Sequence, residues 1–237
     1  MKENLLYEGK AKQVYTVVND PDSLILSYKN EATAFNGEKK ATISGKGRYN
    51  NLIAAKVFEY LDKHGISSHF KQTLNDTEQL VEKTTIIPIE VVVRNVAAGS
   101  ITRRLGITEK KAFNPPLVEF FYKKDELGDP IINDAHALFL TDATEADLTE
   151  IKDIARKVNK ELQVLFKEVN LQLVDFKLEF GKNAAGKIVL SDEISPDTCR
   201  LWDLETGEKM DKDVFREDLG DLVHVYDQIL TRLEAVK

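Results

Sequence analysis

Apolar and charged positions alternate most regularly between Leu173 and Phe180. In an extended strand successive side chains take opposite faces, so Asp175, Lys177 and Glu179 line one side and Val174, Phe176, Leu178 and Phe180 the other. The loop Asn183, Ala184, Ala185 and Gly186 then returns the chain into Ile188, Val189 and Leu190, a hairpin. Two further strands are predicted in LLYEGKAKQVYTVV and SLILSYKN, separated by the turn residues Asn19, Asp20 and Pro21. TEQLVEKTTIIPIEVVVRN supplies two more extended runs broken at Pro88, a candidate hinge between two lobes. Helical spacing appears from Asn51 to Lys63, stopping near Gly65, and most clearly from about Ala146 to Val169. There Thr144 is the N-cap, Asp147 stands three residues on, and Leu148, Ile151, Ala155, Val158, Leu162, Leu165 and Val169 form a core-packing stripe. ITRRLG reads as a short helix, residues 113–136 as loop and strand, and Lys212 to Leu233 as helix broken at Gly220. The polar segment 31–47 lacks periodicity and reads as a long mobile loop.

The charged face of the Leu173 hairpin carries the candidate chemistry. A return loop of even length places Asp192 on the face of Glu179, so that two carboxylates stand side by side. Like charges so placed repel unless a cation lies between them, and hard oxygen ligands suit Mg²⁺ held together with substrate phosphates. A solvated charged face is the commoner reason for such a pattern. The segment SPDTCRLWD that follows Asp192 favours function, being polar and rich in groups that bind anions or metals while holding the only tryptophan, Trp202.

Composition narrows the classes. The 237 residues allow one large or two small domains, and 42% apolar with 31% charged residues are the proportions of a globular protein. Forty acidic against 33 basic residues give a net charge of −7, which supplies no general field for nucleic acid or an anionic membrane. Anionic substrates therefore need local basic pockets. One cysteine, Cys199, rules out an internal disulfide and fits a reducing compartment. No apolar run approaches the roughly 20 residues that span a bilayer. MKENLLYEGK lacks the apolar core of a secretory signal, so a cytoplasmic location is expected. His64, His69, His136 and His224 are scattered, none at metal-ligand spacing from another His or Cys, which argues against zinc.

Two basic constellations remain. Lys10 and Lys12 flank Ala11 after Gly9 and project from one face of a strand, as phosphate-binding lysines or as charges that protect an edge. Glu90 to Ser100 ends a strand at Arg94 and passes through Ala97, Ala98 and Gly99 to a helix cap at Ser100, a phosphate cradle with an arginine alongside. The other reading of Arg94 is an ion pair with a carboxylate at the edge of the core. Arg200 is a candidate second guanidinium, whereas Arg103 and Arg104 read as a solvated helix face. Neither the P-loop nor the Rossmann pattern is present.

In order along the chain, YEGKAKQVY, GKGRYNN, EVVVRNVAAGS, RRLG, GDPIIND, LVDFKLEFG, SDEISPDTCRLWD and DKDVFREDLG resemble one family, phosphoribosylaminoimidazole-succinocarboxamide synthase or SAICAR synthetase. The resemblance implies an α/β (α+β) fold of two lobes like the ATP-grasp arrangement, with mostly antiparallel sheets and flanking helices. Residues 1–86 would form an N-terminal lobe over the ATP phosphates and residues 87–237 a C-terminal lobe with the substrate and metal residues. It implies ATP-dependent ligation of L-aspartate to the carboxylate of carboxyaminoimidazole ribonucleotide (CAIR), with Mg²⁺ and with a homodimer as the assembly. By matched motifs, Lys10, Lys12, Glu179 and Asp192 would meet ATP, and Glu179 and Asp192 would ligate the metal. Arg94, Ser100, Asp129, Lys177 and Arg200 would hold the ribonucleotide, with Lys12, Asp175 and Asp192 at the reacting centre. A carboxylate resists nucleophilic attack, and phosphoryl transfer to it creates an acyl phosphate with a good leaving group, so no protein nucleophile is required. Such an intermediate needs shelter from water, and the segment around Gly37 and Gly45 is the expected lid. Asn36 departs from the family's aspartate and is a weaker ligand for a hard cation. A small-molecule kinase of related shape and a non-catalytic nucleotide-binding module are the competing classes.

Overall fold

The computed structural model describes residues 1–34 and 38–236. Its first sheet contains β1 (Lys2–Glu8), β2 (Lys12–Val17), β3 (Asp20–Tyr28), β6 (Phe70–Asn75) and β7 (Glu78–Glu82) in the antiparallel order β1-β2-β3-β7-β6. Between β3 and β6 come the hairpin β4 (Glu31–Ala34) and β5 (Lys39–Thr42) and the helix α1 (Lys46–Lys63). The second sheet contains β8 (Thr85–Val96), β9 (Ala112–Tyr122), β10 (Ile131–Ile132), β11 (Leu171–Lys182), β12 (Ile188–Ser191) and β13 (Cys199–Asp203). Its order is β10-β9-β8-β11-β12, with β13 also paired to β11, again antiparallel throughout. The helices are α2 (Ser100–Leu105), α3 (Asp134–Leu140), α4 (Glu145–Glu168), α5 (Asp213–Arg216) and α6 (Leu222–Glu234). This is the expected mixed class of antiparallel sheets with flanking helices. No helix among the described residues is long and apolar enough to cross a membrane.

The main core lies on one face of the second sheet. The α4 stripe, Leu148, Ile151, Ala155, Val158, Leu162 and Leu165, packs there with Phe176, Leu178 and Phe180 of β11. Thr144 and Asp147 cap α4 reciprocally, as the spacing predicts. Ile53, Val57, Phe58 and Leu61 of α1 join the same core and meet Ile229, Leu230 and Leu233 of α6. The chain passes from one sheet to the other at Lys83 and Thr84, yet α1 packs with the second sheet.

Several elements differ from expectation, each for a local reason. Pro88 does not break β8: it sits where the β8–β11 register shifts, a bulge that tolerates a residue without an N–H, and its carbonyl accepts from Lys123 N–H at 3.1 Å. β8 also runs on past Arg94 to Val96, and Gly99 rather than Ser100 is the N-cap of α2. A second bulge, between Leu173 and Asp175 against β13, moves Val174 off the core face. Val174 packs instead with Trp202, Val96 and Ala98 in a satellite cluster. Trp202 is thus a buried strand residue of β13, and only Ser195 to Thr198 of its segment form a turn. The expected 31–47 loop contains the β4–β5 hairpin and the start of α1, while Asn36 and Gly37 lie outside the described residues. β6 and the seven-residue α3 were not anticipated.

The early start of α1 follows from close packing rather than helix propensity. Gly45 has φ 87° ahead of the helix, and a Cβ on Gly47 would stand 2.7 Å from the Tyr28 carbonyl oxygen and 2.9 Å from that of Lys29. Both obstacles are backbone at the end of β3. Gly47→Ala is therefore expected to cost about 1–3 kcal/mol of stability, measured by urea unfolding. An unchanged midpoint at constant slope would show that the helix and β3 do not approach so closely.

Candidate active site

A cavity of about 530 Å³ lies between the first sheet and β8 and β11 of the second. Its size is that of a small-molecule site. One wall is apolar, with Val14, Leu24, Leu26, Val81 and Ile86, and the rest is charged. Lys12, at the start of β2, enters from the first sheet, and its Nζ donates to Asp192 Oδ1 at 2.5 Å and Glu193 Oε1 at 2.9 Å. Burial alone would disfavour its charge, but Asp192 and Glu193 outweigh that and hold Lys12 well above the usual lysine range. Glu193 is itself 3% exposed and accepts from Ser195 Oγ at 2.6 Å.

Asp175, Lys177 and Glu179 of β11 all line the cleft, as the alternation predicts. Glu179 Oε1 accepts from Lys123 at 2.7 Å and Lys177 at 2.8 Å, and Lys177 also reaches Glu90 at 2.8 Å. Asp192 shares this cavity, though by a different route from the one expected. The hairpin register pairs Glu179 with Ser191, which puts Asp192 beyond the strand end, where a left-handed φ of 62° redirects the chain. Buried His69 stands against that turn, its Nε2 3.1 Å from the Asp192 carbonyl oxygen, as a neutral ring donating N–H. Burial would raise the Asp192 carboxyl, but Lys12, Lys177 and Lys123 outweigh it and keep Asp192 well below the usual carboxylate range.

A second network surrounds Asp175. Arg94 Nη1 donates to it at 2.8 Å and Arg200 Nη1 at 3.1 Å, so two guanidinium groups from different strands converge on one carboxylate. Arg94 also binds Glu119 through Nε at 2.6 Å and lies 3.4 Å from Ser100 Oγ through Nη2. Its ion pairing at the core edge and its place in the cleft wall hold together. Arg200 Nε binds Asp213 Oδ2 at 2.9 Å. Gly99, at φ 64°, is needed beneath it, since a Cβ there would stand 2.6 Å from the Arg200 Cζ. Lys10 and Asp129 occupy the rim: Lys10 reaches Asp125 at 2.7 Å, and Asp129, at φ 47°, accepts from the Lys124 N–H at 2.8 Å.

Sequence reasoning missed Glu193, Lys123, Glu90, Glu119 and Asp213. Their partners stand far off along the chain, so apart from Glu193, next to Asp192, no local pattern marks them. Cys199 is buried and its thiol is pushed up by burial, which suits packing rather than nucleophilic attack. Among the described residues no three His, Cys, Asp or Glu side chains gather as a metal cage. The carboxylates of Glu179 and Asp192 in one cavity wall do fit Mg²⁺, which commonly takes one or two carboxylates and completes its shell with water and phosphate oxygens.

Comparison with known proteins agrees with this geometry. The SAICAR synthetase family profile matches residues 5–233. The chain belongs to the SAICAR synthetase family. Phosphoribosylaminoimidazole-succinocarboxamide synthase of Oceanobacillus iheyensis is 63% identical over 99% of both chains, and that of Bacillus subtilis is 53% identical over 100% of this chain and 98% of its own. The crystal structure of the Ehrlichia chaffeensis synthase superposes with a TM-score of 0.95 at 45% identity, covering 99% of this chain and 100% of that one. A SAICAR synthetase in complex with ADP gives a TM-score of 0.94 at 47% identity over 98% of each chain. Members of this family are ligases of purine biosynthesis, and the resemblance read from the motifs is thereby established at the level of the whole chain.

His69 gives the site a measurable pH signature. Burial pushes its pKa down to about 4 from an ordinary 6.5. The folded value lies below the unfolded one, so the unfolded chain takes up the proton first as pH falls, and stability declines from about pH 6.5 to pH 4. The contribution is on the order of 3 kcal/mol at the acid end. His69→Gln should flatten the dependence of unfolding free energy on pH in that window by about one proton. A slope unaltered by the substitution would mean that His69 is hydrated in the fold.

Proposed function

We propose that this chain is the ATP-dependent ligase that joins L-aspartate to the carboxylate of CAIR, giving SAICAR, ADP and phosphate. One observation carries the reading: Lys12, Glu179 and Asp192 share a single cavity with the Arg94–Asp175–Arg200 network. The apolar wall of Val14, Leu24, Leu26 and Val81 suits a nucleobase, and Lys12 beside it suits the phosphates. Lys10 joins them at the rim. Glu179 and Asp192 would hold Mg²⁺, which when bound supplies charge neutralisation on the phosphoryl oxygens.

The ribonucleotide phosphate belongs with Arg94, Arg200 and Ser100, where planar guanidinium forks match phosphate oxygens. Asp175 holds both arginines in place, so their geometry exists before the ligand arrives. Lys177 and Asp129, also in the wall, contact the remainder of the ribonucleotide. The base plane then lies between two positive regions, and its carboxylate faces Lys12. Phosphoryl transfer to that carboxylate makes it an electrophile, and the amine of L-aspartate displaces phosphate. In this reading the first sheet and the second form the lobes that close over the reactants, divided near residue 86, with Lys12 as the charge that crosses between them.

ADP release measured with each substrate omitted in turn tests the activity. It should require both the ribonucleotide and L-aspartate; release without L-aspartate that phosphorylates the nucleotide stably would identify a kinase instead. Asp192→Asn should cut kcat by about 100-fold or more while the ribonucleotide KM moves less than about threefold. Comparable losses in both would remove Asp192 from phosphoryl chemistry. Arg94→Lys, which turns a fork into a point charge, is expected to raise the ribonucleotide KM by about tenfold or more. An unaltered KM would take Arg94 out of the phosphate site.

A further inference from the structure

The hairpin β4–β5 belongs to neither of the two larger sheets, yet Glu31 and Thr33 of β4 form part of the cavity wall. At its base the backbone ties it down: Ile43 N–H donates to the Asn30 carbonyl at 2.8 Å, and Gly47 N–H to Asn30 Oδ1 at 3.0 Å. Beyond that base, among the described residues, one side chain of the hairpin hydrogen-bonds to the rest of the molecule. It is Lys39, directly opposite Ala34 in the ladder. Its Nζ donates to the Phe215 carbonyl oxygen and to Asp218 Oδ1, each at 2.6 Å, and stands 4.8 Å from the centre of the Phe215 ring.

These contacts are unequal. The Asp218 side chain is 84% exposed, and an ion pair so open to water contributes little. The Phe215 carbonyl lies in the four-residue α5, whose last carbonyls have no partner within the helix, and a lysine there satisfies one of them. The ring adds an attraction between its face and the cation. Lys39 does not itself line the cavity, but it fastens one part of the wall, β4, to another, α5, 176 residues further along the chain. We propose that Lys39 is a positioning residue for the ligation, holding β4–β5 against α5 so that water is kept from the activated carboxylate. This rests on the ligase reading above.

The acyl phosphate has two competing fates. Attack by the amine of L-aspartate forms the C–N bond and breaks the C–O bond to phosphate, which leaves with the bonding pair and takes up the amine's proton. Attack by water forms a C–O bond, breaks the same bond and restores the ribonucleotide carboxylate, one proton of the water going to phosphate and the other to solvent. The second fate consumes ATP without product, and a wall parted between β4 and α5 favours it. The ratio of ADP released to amide formed, followed on the full chain at saturating substrates, tests the role. For the unsubstituted chain it should be about one, and Lys39→Met should raise it to about two or more, with substrate KM values within about threefold. Lys39→Arg, which keeps a cationic donor, should bring it back to about one. Thermal melting identifies a variant that fails to fold. Asp218→Lys, which sets a like charge beside Lys39 from an exposed position, then carries the test and should raise the ratio in the same direction. A ratio of about one in the folded variants, ADP and amide falling together, would reduce Lys39 to a structural contact and overturn the proposal. An unsubstituted chain that forms no amide would overturn the ligase reading instead.

Discussion

The ion pairs of Lys12 with Asp192 and Glu193 carry charge across the cleft between the two sheets, beside the backbone bridge of Ser68 and His69 to Leu190 of β12. Lys12 belongs to β2 in the first sheet, and its two acceptors follow β12 in the second. Placing an ammonium and two carboxylates where water is scarce is costly, and such a cluster persists only when its charges are closely paired. Here one lysine faces two acids, which leaves negative charge for the neighbouring lysines of the second sheet to balance. The field inside the cleft is therefore assembled by the fold itself, from groups that neutralise one another across it.

That assembly depends on β11. Its alternation sends Phe176, Leu178 and Phe180 into the main core and Asp175, Lys177 and Glu179 into the cleft, so the packing that fixes one face aims the other. The bulge at Leu173 to Asp175 adjusts the frame further. It brings Asp175 opposite both Arg94 on β8 and Arg200 on β13, and this cross-strand placement lets one carboxylate receive both guanidinium groups. Without the extra residue the side chain opposite Arg200 would change face.

What could be read from the sequence divides along the same line. The β11 alternation and the α4 stripe with its Thr144 cap are local periodicities, visible in a short window, and both recur in the structure within a residue or two. Asp192 is legible from its neighbours and its motif, but its route is not: the return loop 183–187 has an odd count, which sets strand alternation at Asp192 to the other face, and one left-handed residue there redirects the chain. Pro88 and Val174 depart from the expected pattern for a related reason: a bulge is invisible to period-two counting. Helix propensity placed the start of α1 at Asn51, since Gly45 and Gly47 are poor helix formers, whereas contact with the end of β3 sets it at Lys46. The lysines and acids that complete the cleft pair across long stretches of chain, for which composition holds no signal.

The position of α1 bears on the site as well as on the core. Lys46, in its first turn, is fully buried and paired with Asp197, and Tyr226 of α6 donates to the same carboxylate. Burial would raise the Asp197 carboxyl, but Lys212 and Lys46 outweigh it and hold Asp197 well below the usual range. Asp197 thus ties two core helices to the turn between β12 and β13, which carries the cleft residue Thr198 and leads into Arg200 of β13. A helix start that looks irregular in sequence is, in the fold, an anchor for the turn that lines the cleft. Since Lys46 takes the shorter contact with Asp197, the anchor also explains why Lys212 remains incompletely balanced and faces the cleft.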